Sequence, residues 1–276
     1  MVDGLPGAGK SAVLQHALRT ANGHRVVAVV RSLEPLLQQD ATDVKRDGAV
    51  AVWPNGAMCI ATDDATTTLG VLARRDQLPD HVLVEADGGS NARRLGGYGY
   101  MTGYRPDGLV TVVDASRAAE HDRNPQVADA WMTSLRLADL ILLNKTDIAG
   151  REATSTAQRM IGSFAQTARF VWCTGGRIAL PLLIGAANLR SPDDRLVVAD
   201  WQPDFPASRD AETRSLLGEH CRCWCLLAEQ ALEAREFRRW VTRMPPFILR
   251  AAGTVHLAHE PDRRHEFSLI GMRWSL

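Results

Sequence analysis

Near its start the chain reads Gly4-Leu5-Pro6-Gly7-Ala8-Gly9-Lys10-Ser11, which matches the phosphate-loop pattern G-x-x-x-x-G-K-[ST] at every fixed position. Glycines at this spacing let successive backbone N–H groups curl around a β-phosphate, while Lys10 reaches the β- and γ-phosphate oxygens and Ser11 supplies a hydroxyl for Mg²⁺. The residues from Ser11 to Thr20 are amphipathic at helical spacing, as this motif requires. The motif therefore predicts nucleotide contacts from six residues: Gly4, Gly7, Ala8, Gly9, Lys10 and Ser11.

A second motif indicates which base is bound. Asn144-Lys145-Thr146-Asp147 follows an apolar run at 139–143, which predicts a buried parallel strand with the motif at its carboxyl end. There Asp147 can accept hydrogen bonds from the ring N–H and the exocyclic amine of guanine. Adenine lacks this donor pattern and would leave a buried carboxylate unpaired. We expect Asn144 and the stem of Lys145 to tie this loop to the phosphate loop and to cover the base.

The rest of the chain alternates between strand and helix patterns. Apolar runs predict strands at 25–30, 81–85, 109–114, 140–143 and 169–173, and helical periodicity separates most of them. Residues 31–62 are mixed and polar, and we expect a switch region there. Strands that alternate with helices form a parallel sheet covered on both faces. We therefore predict an α/β fold, a P-loop NTPase domain with a doubly wound, mostly parallel sheet, followed by a second, smaller α+β domain.

The predicted domain limits come from shifts in composition. We assign 1–187 to the P-loop domain, 188–212 to a linker containing prolines, serines and aspartates, and 213–276 to the second domain. Only three residues precede Gly4, whereas a central strand usually has about five. We therefore expect a truncated first strand and a translation start upstream of Met1.

Charge and cysteine content narrow the class of protein. The 276 residues include 32 Lys and Arg against 32 Asp and Glu, which argues against nucleic acid or an anionic membrane as the principal partner. No apolar run has the length of a transmembrane helix. Five cysteines without a disulfide-framework spacing are typical of a reducing compartment, so we expect a cytoplasmic location.

With these motifs the chain resembles the CobW family of GTPases, relatives of the urease and hydrogenase accessory GTPases. The segments that carry the resemblance are Val84-Glu85-Ala86-Asp87-Gly88, Val112-Val113-Asp114-Ala115, the run 138–147, and 245–253 and 269–274 in the second domain. The resemblance implies that Glu85, or alternatively Asp87, reaches Mg²⁺ through water and helps to orient the attacking water. Lys10 and Glu85 are then the expected catalytic residues. Thr174-Gly175-Gly176 resembles the loop that closes over the base, which makes Thr174 a further nucleotide contact.

One motif of the family is incomplete here. Family members usually carry Asn-Gly followed by C-x-C-C, whose thiolates bind Zn²⁺ or a related metal beside the nucleotide. In this chain Asn55-Gly56 is followed by Ala57-Met58-Cys59-Ile60. One thiolate cannot build a structural tetrahedral zinc site, which needs about four N or S ligands. Cys59 is thus a candidate ligand for Zn²⁺ or another transition metal only in a transient site with Met58 or a partner's residues.

A second group of cysteines lies in His220-Cys221-Arg222-Cys223-Trp224-Cys225. On a strand the three thiols would share one face, with neighbours ~6.6 Å apart. A single metal spans at most two such neighbours, so we interpret them as core side chains and keep metal binding as the alternative.

The residues and the resemblance together predict a Mg²⁺-dependent GTPase that converts GTP to GDP and phosphate in metal delivery or cofactor assembly. GTP and Mg²⁺ are the expected cofactors, and a client metalloprotein or cofactor-assembly protein is the expected partner. No built-in arginine finger or glutamine is evident, so we expect slow intrinsic turnover. Two alternatives stay open, a nucleotide-switched chaperone or adaptor without metal cargo and a paralogue that does not hydrolyse nucleotide.

Overall fold

The computed structural model describes residues 1–21, 23–37, 43–86, 97, 100, 103–125, 127–184, 226, 228, 230–245 and 247–276. The chain divides into two compact units, Met1–Ile178 and Ala179–Leu276. The predicted linker at 188–212 and the cysteine group at 221–225 lie outside the described residues. The domain limits at 187 and 213 therefore stay predictions.

The first unit is built on parallel strands. Its strands are β1 (Val2–Asp3), β2 (Val26–Val30), β3 (Lys45–Asp47), β4 (Val50–Val52), β5 (Met58–Ala61), β6 (His81–Val84), β7 (Val110–Asp114), β8 (Leu140–Asn144) and β9 (Arg169–Trp172). They form two sets, in the orders β1-β7-β8-β9 and β3-β4-β5-β2-β6. Pairing is parallel throughout the first set and on both sides of β2, and antiparallel from β3 to β5. A bridge between Val2 and Glu85 joins the two sets.

Helices flank these strands and bury their apolar sides. They are α1 (Lys10–Thr20), α2 (Glu34–Leu37), α3 (Ala65–Leu72), α4 (Ala118–Arg123), α5 (Ala128–Leu137) and α6 (Thr146–Gly162). The core shared by α5, α6 and β8 contains five large side chains: Trp131, Leu135, Ile141, Leu143 and Ile161. Strands β2, β7 and β8 are buried at every residue, as expected for parallel strands covered on both faces.

The two-residue strand β1 lies between the two sets of strands. On one side the Val110 N–H donates to the Met1 carbonyl at 2.9 Å, and on the other the Ala86 N–H donates to the Val2 carbonyl at 2.8 Å. Val2 is 1% exposed. Short as it is, β1 therefore holds the phosphate loop at the middle of the sheet.

Residues 31–62 contain more regular structure than the sequence indicated. Strands β3 to β5 extend the sheet as an antiparallel ribbon, and the turn between β4 and β5 contains Asn55-Gly56. The Asn55 side chain donates to the carbonyls of Leu18 and Arg19 at 2.8 and 3.2 Å, which satisfies the last turn of α1. Strands of three or four residues are too short to show a clear alternation of apolar and polar residues, which explains why they were not predicted.

The second unit contains its own antiparallel sheet. Its elements are α7 (Leu180–Ile184), α8 (Ala234–Thr242), β10 (Arg250–Leu257), β11 (Glu260–Ile270) and β12 (Arg273–Ser275). The strands follow the order β10-β11-β12. Phe237 and Val241 of α8 pack against Phe267 and Leu269 of β11 in a separate core. The predicted fold class, a P-loop NTPase sheet with a second, smaller α+β domain, is confirmed.

Within the described ranges, no helix combines the length and the apolar character that crossing a membrane requires.

Candidate nucleotide-binding site

The loops that follow β1, β7, β8 and β9, and residues 85–86 after β6, share one edge of the first unit's sheet, because strands that run parallel all end there. These loops carry most of the predicted site residues. Segments far apart in the sequence are thereby brought to one edge, where ligands of open α/β sheets bind.

The phosphate loop bends at glycines that adopt positive φ values. Gly4, Gly7 and Gly9 have φ values of 140°, 79° and 105°. A Cβ at Gly9 would clash with Nδ2 of Asn144, so both the backbone angle and the close approach require glycine. Lys10 is 7% exposed, and its Nζ donates to the Gly4 carbonyl at 2.8 Å. The ammonium group therefore lies within the loop that the motif assigns to phosphate.

Helix α1 begins at Lys10, directly after this loop, and half-buried Ser11 lies in its first turn. The Val13 N–H donates to the Gly9 carbonyl at 3.1 Å and starts the helical ladder. The N–H groups before it have no partner within the helix, so they can bind an anion, which the helix dipole also favours.

Asn144 joins the phosphate side of the site to the base side. The residue is 1% exposed, and its Nδ2 donates to the Ala8 carbonyl of the phosphate loop at 3.0 Å. Its Oδ1 accepts from the Gly176 N–H at 3.0 Å and from the Cys173 thiol at 3.6 Å. The expected tie between the Asn144 motif and the phosphate loop is thus present.

Lys145 forms a partly buried ion pair that the sequence did not predict. Its Nζ donates to Oδ2 of Asp114 at 2.7 Å, and the Asp114 side chain is 4% exposed. Oδ1 of Asp114 accepts from the backbone N–H of Ser116 at 3.0 Å. Burial opposes ionisation of Asp114, but the hydrogen bonds from Lys145 and Ser116 outweigh it and lower the pKa of the carboxyl.

Asp147 lies in the first turn of α6, and its carboxylate is exposed. This turn is distinct from the rest of the helix, because Gly150 has φ 75° and ψ 167° and interrupts it. The hydroxyl of Thr146 bonds the Cys173 carbonyl at 3.1 Å and lies 3.0 Å from the hydroxyl of exposed Thr174. The turn that presents Asp147 is therefore attached to the loop that begins at Thr174.

That second loop packs directly on α1 through Gly176. A Cβ at Gly176 would lie 2.6 Å from the backbone of Ala12 and Val13, and its φ is 71°. Gly175 also has a positive φ, 59°, but no atom lies within 4 Å of its Cβ position. Of these two glycines, only Gly176 is therefore required for close approach.

Glu85 follows β6 and is half-buried. Its N–H donates to the Val29 carbonyl at 2.9 Å, and it pairs with Val2, two residues before the phosphate loop. Asp87, the alternative, lies outside the described residues. The Glu85 carboxylate and the Ser11 hydroxyl are hard oxygen donors of the kind that Mg²⁺ prefers.

Comparison with known proteins identifies the family. The profile of the CobW/HypB/UreG nucleotide-binding domain matches residues 1–172, and that of the cobalamin synthesis protein CobW C-terminal domain matches residues 221–276. The chain belongs to the CobW family. Similar proteins include the zinc chaperone CobW of a Sinorhizobium species, 26% identical over 219 residues, which cover 67% of this chain and 61% of that protein. The zinc-regulated GTPase metalloprotein activator 1 of Schizosaccharomyces pombe is 26% identical over 190 residues, covering 64% of this chain and 46% of that protein.

These matches thus cover less than two thirds of either relative's length. Among solved structures, a zinc-bound triple mutant of the YjiA GTPase is similar to this CobW-family chain, with a TM-score of 0.52 and 21% identity. The alignment covers 99% of this chain and 86% of the YjiA chain. At that identity the likeness concerns the fold.

In this CobW-family chain Cys59 is a buried residue of β5. It faces neither solvent nor a cluster of ligands, because it is 0% exposed and no group of three or more His, Cys, Asp or Glu among the described residues could hold a metal. Burial, together with the nearby Glu85 charge, raises the pKa of the Cys59 thiol to about 12. Its role as a zinc ligand stays a prediction.

Sequence reasoning placed Asp114 and Gly176 in segments that resemble the family, but it assigned neither residue a contact of its own. A signal for Asp114 was available, since it is a charged residue that closes an otherwise apolar strand. Gly176 is the second glycine of a pair, and the sequence does not distinguish it from Gly175. Their contacts, with Lys145 and with α1, arise only in the folded chain.

Proposed function

We propose that this chain binds GTP and hydrolyses it to GDP and phosphate. The observation that carries the proposal is the position of Asn144, whose side chain bonds Ala8 in the phosphate loop and Gly176 in the loop beside Asp147. Asn144 therefore fixes the phosphate loop relative to the loop beside Asp147, the carboxylate that we propose selects guanine. The names of the relatives, a zinc chaperone and a zinc-regulated GTPase, support the same activity.

Mg²⁺ is the expected companion of the nucleotide. Ser11 and Glu85 would hold it, Ser11 directly and Glu85 through water, because both are oxygen donors beside the phosphate loop. When bound, Mg²⁺ neutralises charge that develops on the β- and γ-phosphate oxygens. The chain's own contribution is to position the phosphates with Lys10 and the loop amides, and to orient the attacking water with Glu85. We expect slow intrinsic turnover that a partner stimulates.

The test is phosphate release from GTP, measured for the parent chain and for two matched pairs of variants. Lys10→Ala should abolish release, whereas Lys45→Ala, which removes an exposed lysine of β3, should not. Glu85→Gln should retain GDP binding and lose most of the release, whereas Glu152→Gln, on the exposed side of α6, should match the parent. Parent-like release by Lys10→Ala would contradict the assignment.

We further propose that the switch serves metal delivery or cofactor assembly in the cytoplasm. In this scheme the GTP state docks on a client metalloprotein or assembly protein, and hydrolysis releases the cargo. The CobW-family membership and the zinc chaperones among its relatives support this role. Cys59 and Cys173 are buried free thiols, in keeping with a reducing compartment.

A second candidate function is a nucleotide-switched adaptor that carries no metal. The observation in its favour is Cys59, a buried thiol whose pKa is raised to about 12 and which would have to lose its proton to bind zinc. Competition for Zn²⁺ against a chromophoric chelator, with GDP and with a non-hydrolysable GTP analogue, separates the two. If the parent chain binds one equivalent of Zn²⁺ and the Cys59→Ser variant does not, the result supports metal delivery through Cys59. If the parent chain binds no Zn²⁺ in either nucleotide state, the result supports the adaptor.

A further inference from the structure

Asp114 divides its two carboxylate oxygens between a local turn and a distant side chain. Oδ1 accepts from the N–H and the hydroxyl of Ser116, at 3.0 and 2.5 Å. Oδ2 accepts from Nζ of Lys145 at 2.7 Å, across 31 residues of sequence. The hydrogen bonds to Oδ1 form an ordinary Asx turn after β7. The hydrogen bond to Oδ2 joins two loops of the nucleotide site and is not required by the turn.

Lys145 is the residue of this site whose backbone most needs support. It has φ 60° and ψ 37°, directly before the turn of α6 that carries Asp147. Among the described residues other than glycine, only Lys145 has a positive φ. L-residues seldom adopt this conformation, because Cβ approaches the following carbonyl oxygen. An anchor on the Lys145 side chain therefore stabilises the backbone that presents Asp147.

Asp114 provides this anchor from the protein interior. The Asp114 side chain is 4% exposed, whereas that of Lys145 is 31% exposed, so a buried carboxylate holds a more exposed ammonium. A charge-assisted hydrogen bond to a buried acceptor is stronger than a neutral one and restricts the lysine to one geometry. We propose that Asp114 is a positioning residue for guanine recognition, acting through Lys145 to orient Asp147. This inference rests on the proposed binding of guanine nucleotides.

The test is calorimetric binding of GDP and of inorganic tripolyphosphate, each with Mg²⁺. Asp114→Asn keeps Oδ1 for Ser116, but its amide nitrogen cannot accept from the Lys145 ammonium. GDP affinity should fall about tenfold, the expected effect of losing a charged hydrogen bond, while tripolyphosphate affinity stays unchanged. The matched control is Glu120→Gln, which removes an exposed carboxylate paired with Arg117 at 2.7 Å and should bind both ligands like the parent.

A double-mutant cycle tests whether Asp114 acts through Lys145. Lys145→Met keeps the aliphatic stem and removes the ammonium, and it should also weaken GDP without changing tripolyphosphate binding. In that background Asp114→Asn should have no further effect, because the pair is already broken. Effects that multiply would overturn the proposal, as would parent-like GDP affinity in Asp114→Asn or an equal loss of both ligands.

Two further outcomes are decisive. If Asp114→Asn does not fold, Lys145→Met removes the same ion pair from its exposed side, and parent-like GDP affinity in that variant overturns the proposal. A parent chain that binds tripolyphosphate but no GDP would instead refute the proposed function itself, before any variant is compared.

Discussion

The Asn144 side chain donates a 3.0 Å hydrogen bond to the Ala8 carbonyl of the phosphate loop. The same side chain accepts from the Gly176 N–H, also at 3.0 Å, on the base side of the site. One buried amide thus supports two loops that sequence motifs assign to opposite ends of a nucleotide. A change at Asn144 should therefore affect the fold and the ligand together.

We expect Asn144→Ala to destabilise the protein and to weaken GDP binding. The substitution leaves the Ala8 carbonyl and the Gly176 N–H without this partner, and each unsatisfied buried group costs about 1–3 kcal/mol. Urea unfolding and GDP calorimetry measure the two effects. The control is Asn55→Ala, since Asn55 also joins two segments by its amide, at the end of α1. That variant should lose stability and retain GDP affinity, and equal losses of affinity would contradict a specific role for Asn144.

Asp147→Asn should change the base preference from guanine towards xanthine. An amide presents one acceptor and one donor, so it no longer pairs with both donors of guanine but matches the ring N–H and carbonyl of xanthine. GDP affinity should fall roughly a hundredfold, and xanthosine diphosphate should bind more tightly than to the parent chain. Calorimetry with both nucleotides checks this exchange. If the variant binds GDP as the parent does, Asp147 does not contact the base.

The glycine pair after Thr174 offers a matched comparison. Both Gly175 and Gly176 have a positive φ, so alanine costs about 1 kcal/mol at either position. Only Gly176 lies against α1, where the new Cβ would be 2.6 Å from backbone atoms that cannot move easily. Gly176→Ala should therefore lower the free energy of unfolding by clearly more than Gly175→Ala. Equal urea midpoints would show that this loop does not pack on α1.

The two described thiols should resist alkylation in the folded protein. Burial raises the pKa of Cys59 and of Cys173 to about 12, well above the value of about 8.5 for an exposed thiol. Iodoacetamide at pH 8.5 followed by peptide mass mapping should label both only after urea is added. Rapid labelling of Cys59 without urea would contradict its burial.

The same shifts predict how stability depends on pH. Because the folded pKa values lie above the unfolded ones, the thiols contribute stability that is complete below about pH 8.5. That contribution declines as the pH rises from there towards the folded pKa of about 12. Cys173→Ala should flatten the decline of the unfolding free energy between about pH 8.5 and 10. A slope equal to that of the parent would contradict the shift at Cys173.

The fold could be predicted because its strongest signals are local. The buried strands β2, β7 and β8 are predominantly apolar runs, and the phosphate loop fixes what must follow β1. The ribbon β3 to β5 was not predicted, because strands of three or four residues carry little periodicity. They are defined by pairing with one another and, for β5, with β2.

The site was predictable where a motif carries its own spacing, as at Lys10 and Asn144. Asp114 and Gly176 were not, because their roles depend on contacts across 31 residues for Asp114 and on the packing of a loop against α1 for Gly176. Such contacts follow from the strand order, which brings the ends of β7, β8 and β9 side by side. Sequence periodicity does not report that order.

Paired calorimetric titrations of the intact chain with GDP and with ADP, each in the presence of Mg²⁺, test the central claim most directly. If Asp147 accepts hydrogen bonds from guanine while the phosphate loop binds the phosphates, GDP should bind at least ~100-fold more tightly than ADP. Equal affinities, or binding of neither nucleotide by a folded chain, would contradict the account.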